Sequence, residues 1–441
     1  MRISVIGCGY LGATHAAGMA ELGHEVVGIE VDPDKLANLT KGVVPFFEPG
    51  LPELLRKHVE SGRLRFSDDI TEAARDAEVH FICVGTPQRA DTIGADLTYV
   101  DQAIDDLAVH LDRPCLVVGK STVPVGTAAG LAARLAELAP AGTGAQLAWN
   151  PEFLREGFAV EDTLRPDRLV FGTDDPAGED SATVATLRHV YSAALSSETP
   201  EVVTDLPTAE LVKVAANAFL ATKISFINAM SEVCDVVGAD VVQLADAIGY
   251  DDRIGRKFLN AGIGFGGGCL PKDIRAFQHR AEELGVEDAT AFLRDVDNVN
   301  QRRRAHVVDL AQQSLADLPG AKVTVLGAAF KPHSDDVRDS PALWIANELH
   351  DLGHAVVVHD PEAIPNARQR FPSLDYDEDL ESALQGTTLV LHLTEWEIYR
   401  SLDPDVAREW VSRPVAIDGR NKLDLSRWRE SGWTVHALGR P

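Results

Sequence analysis

Arg2-Ile3-Ser4-Val5-Ile6-Gly7-Cys8-Gly9-Tyr10-Leu11-Gly12 is the stretch that decides the fold, an apolar run closed by glycines at 7, 9 and 12. A helical pattern follows through Leu22, then Gly23, then a second run, Glu25-Val26-Val27-Gly28-Ile29-Glu30. Strand, glycine turn, helix, strand and acid, in that order, form the context in which GxGxxG binds a dinucleotide. Gly7 permits the turn, Gly9 lets backbone approach a pyrophosphate, and Gly12 lets the helix pack close to the sheet. The helix start, with Tyr10 and Leu11, offers unpaired N–H groups to the phosphates. Glu30, eighteen residues after Gly12, is placed to bond the adenosine ribose and to repel a 2′-phosphate, so the cofactor expected is NAD. Asp32 stands close enough to share that role.

Working outward, strands are expected at Val79–Val84 and Cys115–Gly119, each ending in a Pro-containing loop: Gly85-Thr86-Pro87 and Lys120-Ser121-Thr122-Val123-Pro124. Ligands of open parallel sheets sit beyond the carboxyl ends of the strands, which places Thr86 and Thr122 to meet cofactor and substrate. Ordinary turn chemistry would explain either Thr-Pro pair alone. A further strand, Gln146–Trp149, leads into Asn150-Pro151-Glu152-Phe153-Leu154-Arg155-Glu156-Gly157. Its two glutamates, four apart, share a face if this loop is helical.

From Thr208 to Val237 there is neither Gly nor Pro, and apolar residues recur at helical spacing. Thirty such residues span about 45 Å, a spine suited to joining two halves and packing in a dimer. Lys213 and Asn217 share one face of it, a cation beside an amide donor, as an oxyanion would require. Gly264-Phe265-Gly266-Gly267-Gly268-Cys269-Leu270-Pro271-Lys272-Asp273 then sets a nucleophile after three glycines, which allow tight bending and close approach of a ligand. Lys272 could hold Cys269 ionised, and Asp273 could act as base or orient water. Arg302, Arg303 and Arg304 read as an exposed helix face.

A second strand–turn–helix–strand unit begins at Lys322–Gly327 and continues at Ala355–Asp360, with more strands at Thr388–Leu391 and Val415–Asp418. Its loop, Gly327-Ala328-Ala329-Phe330, lacks the GxGxxG spacing, so no second NAD is expected. Lys331, Arg338 and Arg420 lie in or beyond such loops and suit phosphates or a carboxylate. The expectation is an α/β chain of two Rossmann-like doubly wound domains joined by a long central helix. Residues 1–204 form the NAD-binding domain, 205–305 a helical dimerisation region carrying the cysteine loop, and 318–441 the second Rossmann-like domain.

With 41 basic and 68 acidic residues among 441, the net charge is −27, which opposes binding to nucleic acid or an anionic membrane. The five cysteines are scattered and never in CxxC spacing, so no disulfide framework and no metal site is expected. With no leader-like start and no membrane-length apolar run, a cytoplasmic setting is expected.

GCGYLG, STVP, NPEFLREG, the Lys213–Asn217 helix, YDDRIG, FGGGCLPKD, FKPHSDDVRDSP and DGRN occur in an order that resembles the UDP-glucose/GDP-mannose dehydrogenase family nearly end to end. The resemblance implies a four-electron, NAD-dependent oxidation of a sugar C6 alcohol to a carboxylate, with UDP-glucose as the nucleotide sugar. GDP-mannose and TDP-glucose are the alternatives, and the active form implied is a homodimer or higher homo-oligomer. Cys269 would trap the aldehyde as a thiohemiacetal that is oxidised to a thioester. Glu152 would act in proton transfer, Lys213 and Asn217 at the oxyanion, and Asp273 with Thr122 at the water. Cofactor contacts are implied for Lys35, Thr86, Ser121, Thr122, Glu156, Lys272 and Arg338, besides the glycine motif. The sugar nucleotide would meet Glu152, Phe153, Leu154, Glu156, Lys213, Asn217, Arg253, Phe258 and Asn260. The same is implied for Gly264, Phe265, Gly266, Phe330, Lys331 and Arg420. Gly268 departs from the family's frequent Ser, Glu30 from its Asp and Gln88 from its Thr. A non-catalytic binding protein on this scaffold is the other class, and it would have no need of Cys269, Glu152 or Lys213.

Overall fold

β1 (Arg2–Ile6) lies between β2 (Glu25–Ile29) and β4 (Val79–Ile82), and its residues 3–6 are buried, as a strand covered on both faces must be. These strands belong to a computed structural model that describes residues 1–175 and 181–441. With β3 (Leu64–Ser67), β5 (Cys115–Gly119), β6 (Ala145–Trp149), β7 (Leu169–Thr173) and β8 (Glu201–Asp205) they form one sheet, ordered β3-β2-β1-β4-β5-β6-β7-β8. Among the described residues, only β6 and β7 of this sheet pair antiparallel. The order reverses direction between β1 and β4, and in such sheets the ligand crevice opens there, at the carboxyl ends. This sheet belongs to a body made of Met1–Ala216 and Arg275–Leu284.

The second body comprises Asn217–Ile274 and Gly285–Pro441. Its sheet joins β9 (Lys322–Leu326), β10 (Ala355–His359), β11 (Asp375–Tyr376), β12 (Leu389–His392), β13 (Val415–Asp418) and β14 (Thr434–Ala437) in the order β11-β10-β9-β12-β13-β14. All its pairs are parallel, and its winding repeats that of the first six strands. Its glycine loop has a different use. Asp360, at the end of β10, accepts the N–H groups of Ala328 (2.7 Å) and Ala329 (3.0 Å) and the indole N–H of Trp396 (3.1 Å). The acid and the loop amides that could serve a dinucleotide are spent on each other.

The long helix runs Leu206–Val237, 32 residues, two earlier than its Pro-free stretch. Pro207 falls in the first turn, where its missing N–H has no intrahelical partner to lose. Two sequence expectations are corrected. Arg303 and Arg304, in the helix Phe292–Ser314, are 0% and 2% exposed rather than on a solvated face. Arg303 donates to the carbonyl of Gly262, and Arg304 to that of Phe265 and to the carboxylate of Asp339 (2.8 Å). Residues 150–157 are not helical, so Glu152 and Glu156 share no helix face. Instead the Glu152 carboxylate accepts the backbone N–H of Leu154.

Candidate active site

In the first body Gly7 takes φ +87°, closing the turn from β1 into the helix Tyr10–Glu21. A methyl group on Gly12 would stand 1.8 Å from the carbonyl oxygen of Gly7, so close packing there admits only glycine. One on Gly9 would meet no atom within 4 Å. The face of this loop at Gly9 is therefore open. Glu30 is 7% exposed, and its Oε1 accepts the Asp32 N–H at 3.0 Å. Asp32 has another task, capping the helix Pro33–Thr40 through the N–H groups of Asp34 and Lys35. Of the two acids, Asp32 is thus committed to a helix cap and Glu30 is not. Lys35 is half-exposed, 3.7 Å from Asp32.

The loops after β4 and β5 are tied together: the Thr86 hydroxyl donates to the Thr122 carbonyl (2.8 Å) and that of Ser121 to the Val84 carbonyl (2.7 Å). Phe153 packs under Arg168, whose guanidinium carbon is 3.8 Å from the ring centroid, with the Lys213 ammonium 5.5 Å away. Glu156 is buried near Tyr10.

Two residues that the sequence reading passed over organise these loops. Glu48, 1% exposed, accepts the Tyr10 hydroxyl and the N–H groups of Gly157 (2.6 Å) and Ala159 (2.7 Å). It joins the dinucleotide loop to the PEFLREG loop, and burial together with Glu48 pushes the Tyr10 phenol up. Lys120 is 5% exposed, and its ammonium lies 3.4 Å from Glu152 Oε2, 3.0 Å from Asn150 Oδ1 and 3.3 Å from the Tyr191 hydroxyl. Burial opposes its charge, but Tyr191 and Glu152 outweigh that and hold the ammonium above its ordinary range. Lys120 opens the very KSTVP loop quoted above, and a lysine leaving a buried strand was a signal available in the sequence. Glu48 carried none.

In the second body Cys269 is exposed, directly before the helix Leu270–Glu283 and so at the positive end of its dipole. Asp273, 2% exposed, accepts from the Asn217 amide (2.6 Å) and sits 2.9 Å from the Lys272 ammonium. Its own N–H donates to the Cys269 carbonyl (2.9 Å), which fixes the carboxylate one turn beyond the thiol. Burial pushes the other cysteines up, Cys83 to about 12 and Cys115 to about 11, with Cys8 and Cys234 raised by the same cause. No disulfide joins any of the five.

The three glycines before Cys269 face protein on the side where a side chain would stand. Methyl groups there would meet the Asp339 carbonyl (Gly266, 2.3 Å), the Phe330 ring (Gly267, 2.8 Å) and the Arg338 guanidinium (Gly268, 2.3 Å). The approach is of Phe330–Asp339 onto the cysteine loop. Arg420 braces the same region, donating to the carbonyls of Leu393 (2.7 Å), Gly264 (3.0 Å) and Phe330 (3.0 Å), and Asn300 bonds Phe265 through both its amide atoms. Lys331 lies over Phe330. Arg253 is bound to Asp251 with its side chain 89% exposed, Phe258 takes φ +67°, and Asn260 accepts from Arg256.

Comparison with known proteins agrees with this division of labour. Residues 1–195 match the NAD binding domain of the UDP-glucose/GDP-mannose dehydrogenase family, 207–302 its central domain and 324–425 its UDP binding domain. The chain is 41% identical to the UDP-glucose 6-dehydrogenase of Rhizobium meliloti, covering 100% of both chains. It is 40% identical to UDP-glucose 6-dehydrogenase TuaD of Bacillus subtilis, covering 100% of this chain and 93% of the relative. Among solved structures, the UDP-glucose dehydrogenase of the archaeon Pyrobaculum islandicum superposes with a TM-score of 0.90 at 40% identity, covering 100% of this chain and 98% of that one. With a dinucleotide loop in one body, a cysteine beside a buried carboxylate in the other, and full-length matches to both, the chain belongs to the UDP-glucose/GDP-mannose dehydrogenase family.

Proposed function

We propose that the protein oxidises UDP-glucose to UDP-glucuronate in two NAD-dependent steps, with Cys269 holding the carbon chain between them. The observation that carries the reading is the group around Cys269: an exposed thiol at a helix start, with buried Asp273 held by Asn217 and Lys272. NAD, held by Gly7, Gly9, Gly12 and Glu30, supplies the hydride acceptor.

The C6 alcohol loses a proton and a hydride to give an aldehyde, whose oxygen Lys213 and Asn217 stabilise as charge develops on it. The Cys269 thiolate adds to the aldehyde carbon. Loss of a second hydride from that thiohemiacetal leaves a thioester; addition of the sulfur turns the aldehyde, a poor hydride donor, into a tetrahedral adduct that can expel one as its C=O re-forms. Water, oriented by Asp273 with Thr122, adds to the thioester carbonyl. Glu152 takes its proton, the C–S bond breaks with its electron pair on sulfur, and the carboxylate leaves.

Segments 1–204, 205–305 and 318–441 divide this work as cofactor, catalytic and nucleotide-sugar regions. Phe219, Phe226 and Val233 stand 66%, 49% and 51% exposed at seven-residue spacing on the long helix, which supports pairing of two copies along it. Five cysteines without a disulfide favour a reducing, cytoplasmic setting. The test is a panel of UDP-glucose, TDP-glucose, GDP-mannose and UDP-N-acetylhexosamines compared by kcat/KM. UDP-glucose should lead by at least tenfold, and a lead for any other sugar replaces the substrate named here.

A further inference from the structure

Beside Glu152, within the first body, lies a cavity of about 40 Å³ whose lining mixes apolar side chains with the polar groups of His15, Lys120, Asn150, Glu152, Thr163 and Tyr191. That exceeds the roughly 10–15 Å³ one water needs, and the buried Nε2 of His15 has no protein hydrogen-bond partner. Lysine is almost never buried this deeply unless paired, and a buried ion pair is a poor way to gain stability, because desolvation offsets the attraction. The partner here is the carboxylate that takes up the proton in the reaction proposed above. Glu152 Oε1 is engaged by the Leu154 N–H and Oε2 faces Lys120 at 3.4 Å, so both oxygens are anchored. Lys120 is itself held on Asn150, and the Tyr191 hydroxyl bonds the same amide oxygen at 2.6 Å.

We propose that Lys120 is a positioning residue: through Oε2 it fixes the Glu152 carboxylate in the orientation from which it receives the proton of the water that cleaves the thioester. The inference rests on the proposed function and adds a residue to it. With Lys120 gone, Glu152 keeps one anchor of two and its free oxygen can swing towards the cavity. A misplacement of about 1 Å at a reacting group is enough for a loss on the order of 10²-fold.

The alternative is that Lys120 only fills the core beneath β5 and β6. Lys120→Met, Glu152→Gln and the double variant separate the two, with single-turnover thioester hydrolysis, NAD⁺ affinity and the unfolding midpoint read on each. Lys120→Met should slow hydrolysis about 10²-fold with the Kd for NAD⁺ changed less than twofold, and adding it to Glu152→Gln should cost less than a further twofold. Normal hydrolysis in Lys120→Met, or an undiminished second loss in the double variant, overturns the proposal. If Lys120→Met does not fold, the comparison of Glu152→Gln with the double variant, in which no buried charge is left unpaired, decides by itself. Hydrolysis at the wild-type rate in Glu152→Gln overturns the proposal differently, by removing Glu152 from the step and with it that part of the proposed function.

Discussion

Replacing Gly9 by alanine separates what the dinucleotide loop needs for itself from what it needs for a ligand. Gly9 has φ −68° and ψ −161°, a conformation any residue adopts, and its added methyl would meet no protein atom within 4 Å. Alanine is a poorer helix cap than glycine by roughly 0.5 kcal/mol, while restriction of the unfolded chain returns about 0.4–1 kcal/mol. The two nearly cancel, so the unfolding midpoint should move by less than about 2 °C. Against a bound pyrophosphate the methyl displaces oxygens from the loop N–H groups. Each charge-assisted bond lost costs about 1.5–3 kcal/mol, and the Kd for NAD⁺ should rise at least tenfold, towards 10²-fold. Gly12→Ala is the contrasting control. Its methyl would sit 1.8 Å from the Gly7 carbonyl oxygen, so the helix must retreat by about 1.5 Å and stability should fall by about 1–3 kcal/mol, with NAD⁺ binding lost as well. Calorimetric titration with NAD⁺ and thermal unfolding read both variants. Gly9→Ala with NAD⁺ affinity within twofold of the parent would refute the placement of the pyrophosphate, and a midpoint lowered by more than about 5 °C would make Gly9 structural.

Four further outcomes are expected. Glu30→Ala should cut the preference for NAD⁺ over NADP⁺, read as a ratio of kcat/KM, by tenfold or more, while Asp32→Ala leaves that ratio alone and costs about 1 kcal/mol of helix capping. Cys269→Ser should block the second oxidation, leaving at most one NADH per sugar, with the Kd for NAD⁺ unchanged; near-normal turnover to two NADH per sugar would remove the sulfur from the reaction. Glu48→Ala strands two backbone N–H groups and a phenol, so it should cost about 3 kcal/mol in denaturant unfolding and weaken NAD⁺ binding. Arg304→Met breaks the 2.8 Å pair with Asp339, and because Asp339 is partly exposed the loss should be about 2–3 kcal/mol, at or below the low end for buried pairs.

Short-range chemistry made much of this fold legible. β1, β2, β4, β5 and β6 follow from apolar runs ending in turn residues, and the long helix from thirty residues without Gly or Pro. The sheet's far edge did not follow. Leu169-Val170-Phe171-Gly172-Thr173 is as apolar as β5 and carries a strand signal the reading passed over, whereas Glu201–Asp205 becomes a strand only by pairing with it. β11 is two residues long, shorter than any periodicity can register. Within the candidate site, the glycine motif and the cysteine loop could be read because each is contiguous. Arg304 pairs across 35 positions and Glu48 across 109 to Gly157, and a side chain whose partner is that distant looks like any solvated charge until the chain folds. The glycines at 266–268 were legible as close approach but not as approach to what.

The stoichiometry of NADH against sugar tests the chemistry assigned to Cys269 most directly. With limiting UDP-glucose and excess NAD⁺, the group formed by Cys269, Asp273 and Asn217 should yield two NADH and one UDP-glucuronate per sugar, with no aldehyde trapped by an external amine. One NADH per sugar with the aldehyde released to solution would contradict it.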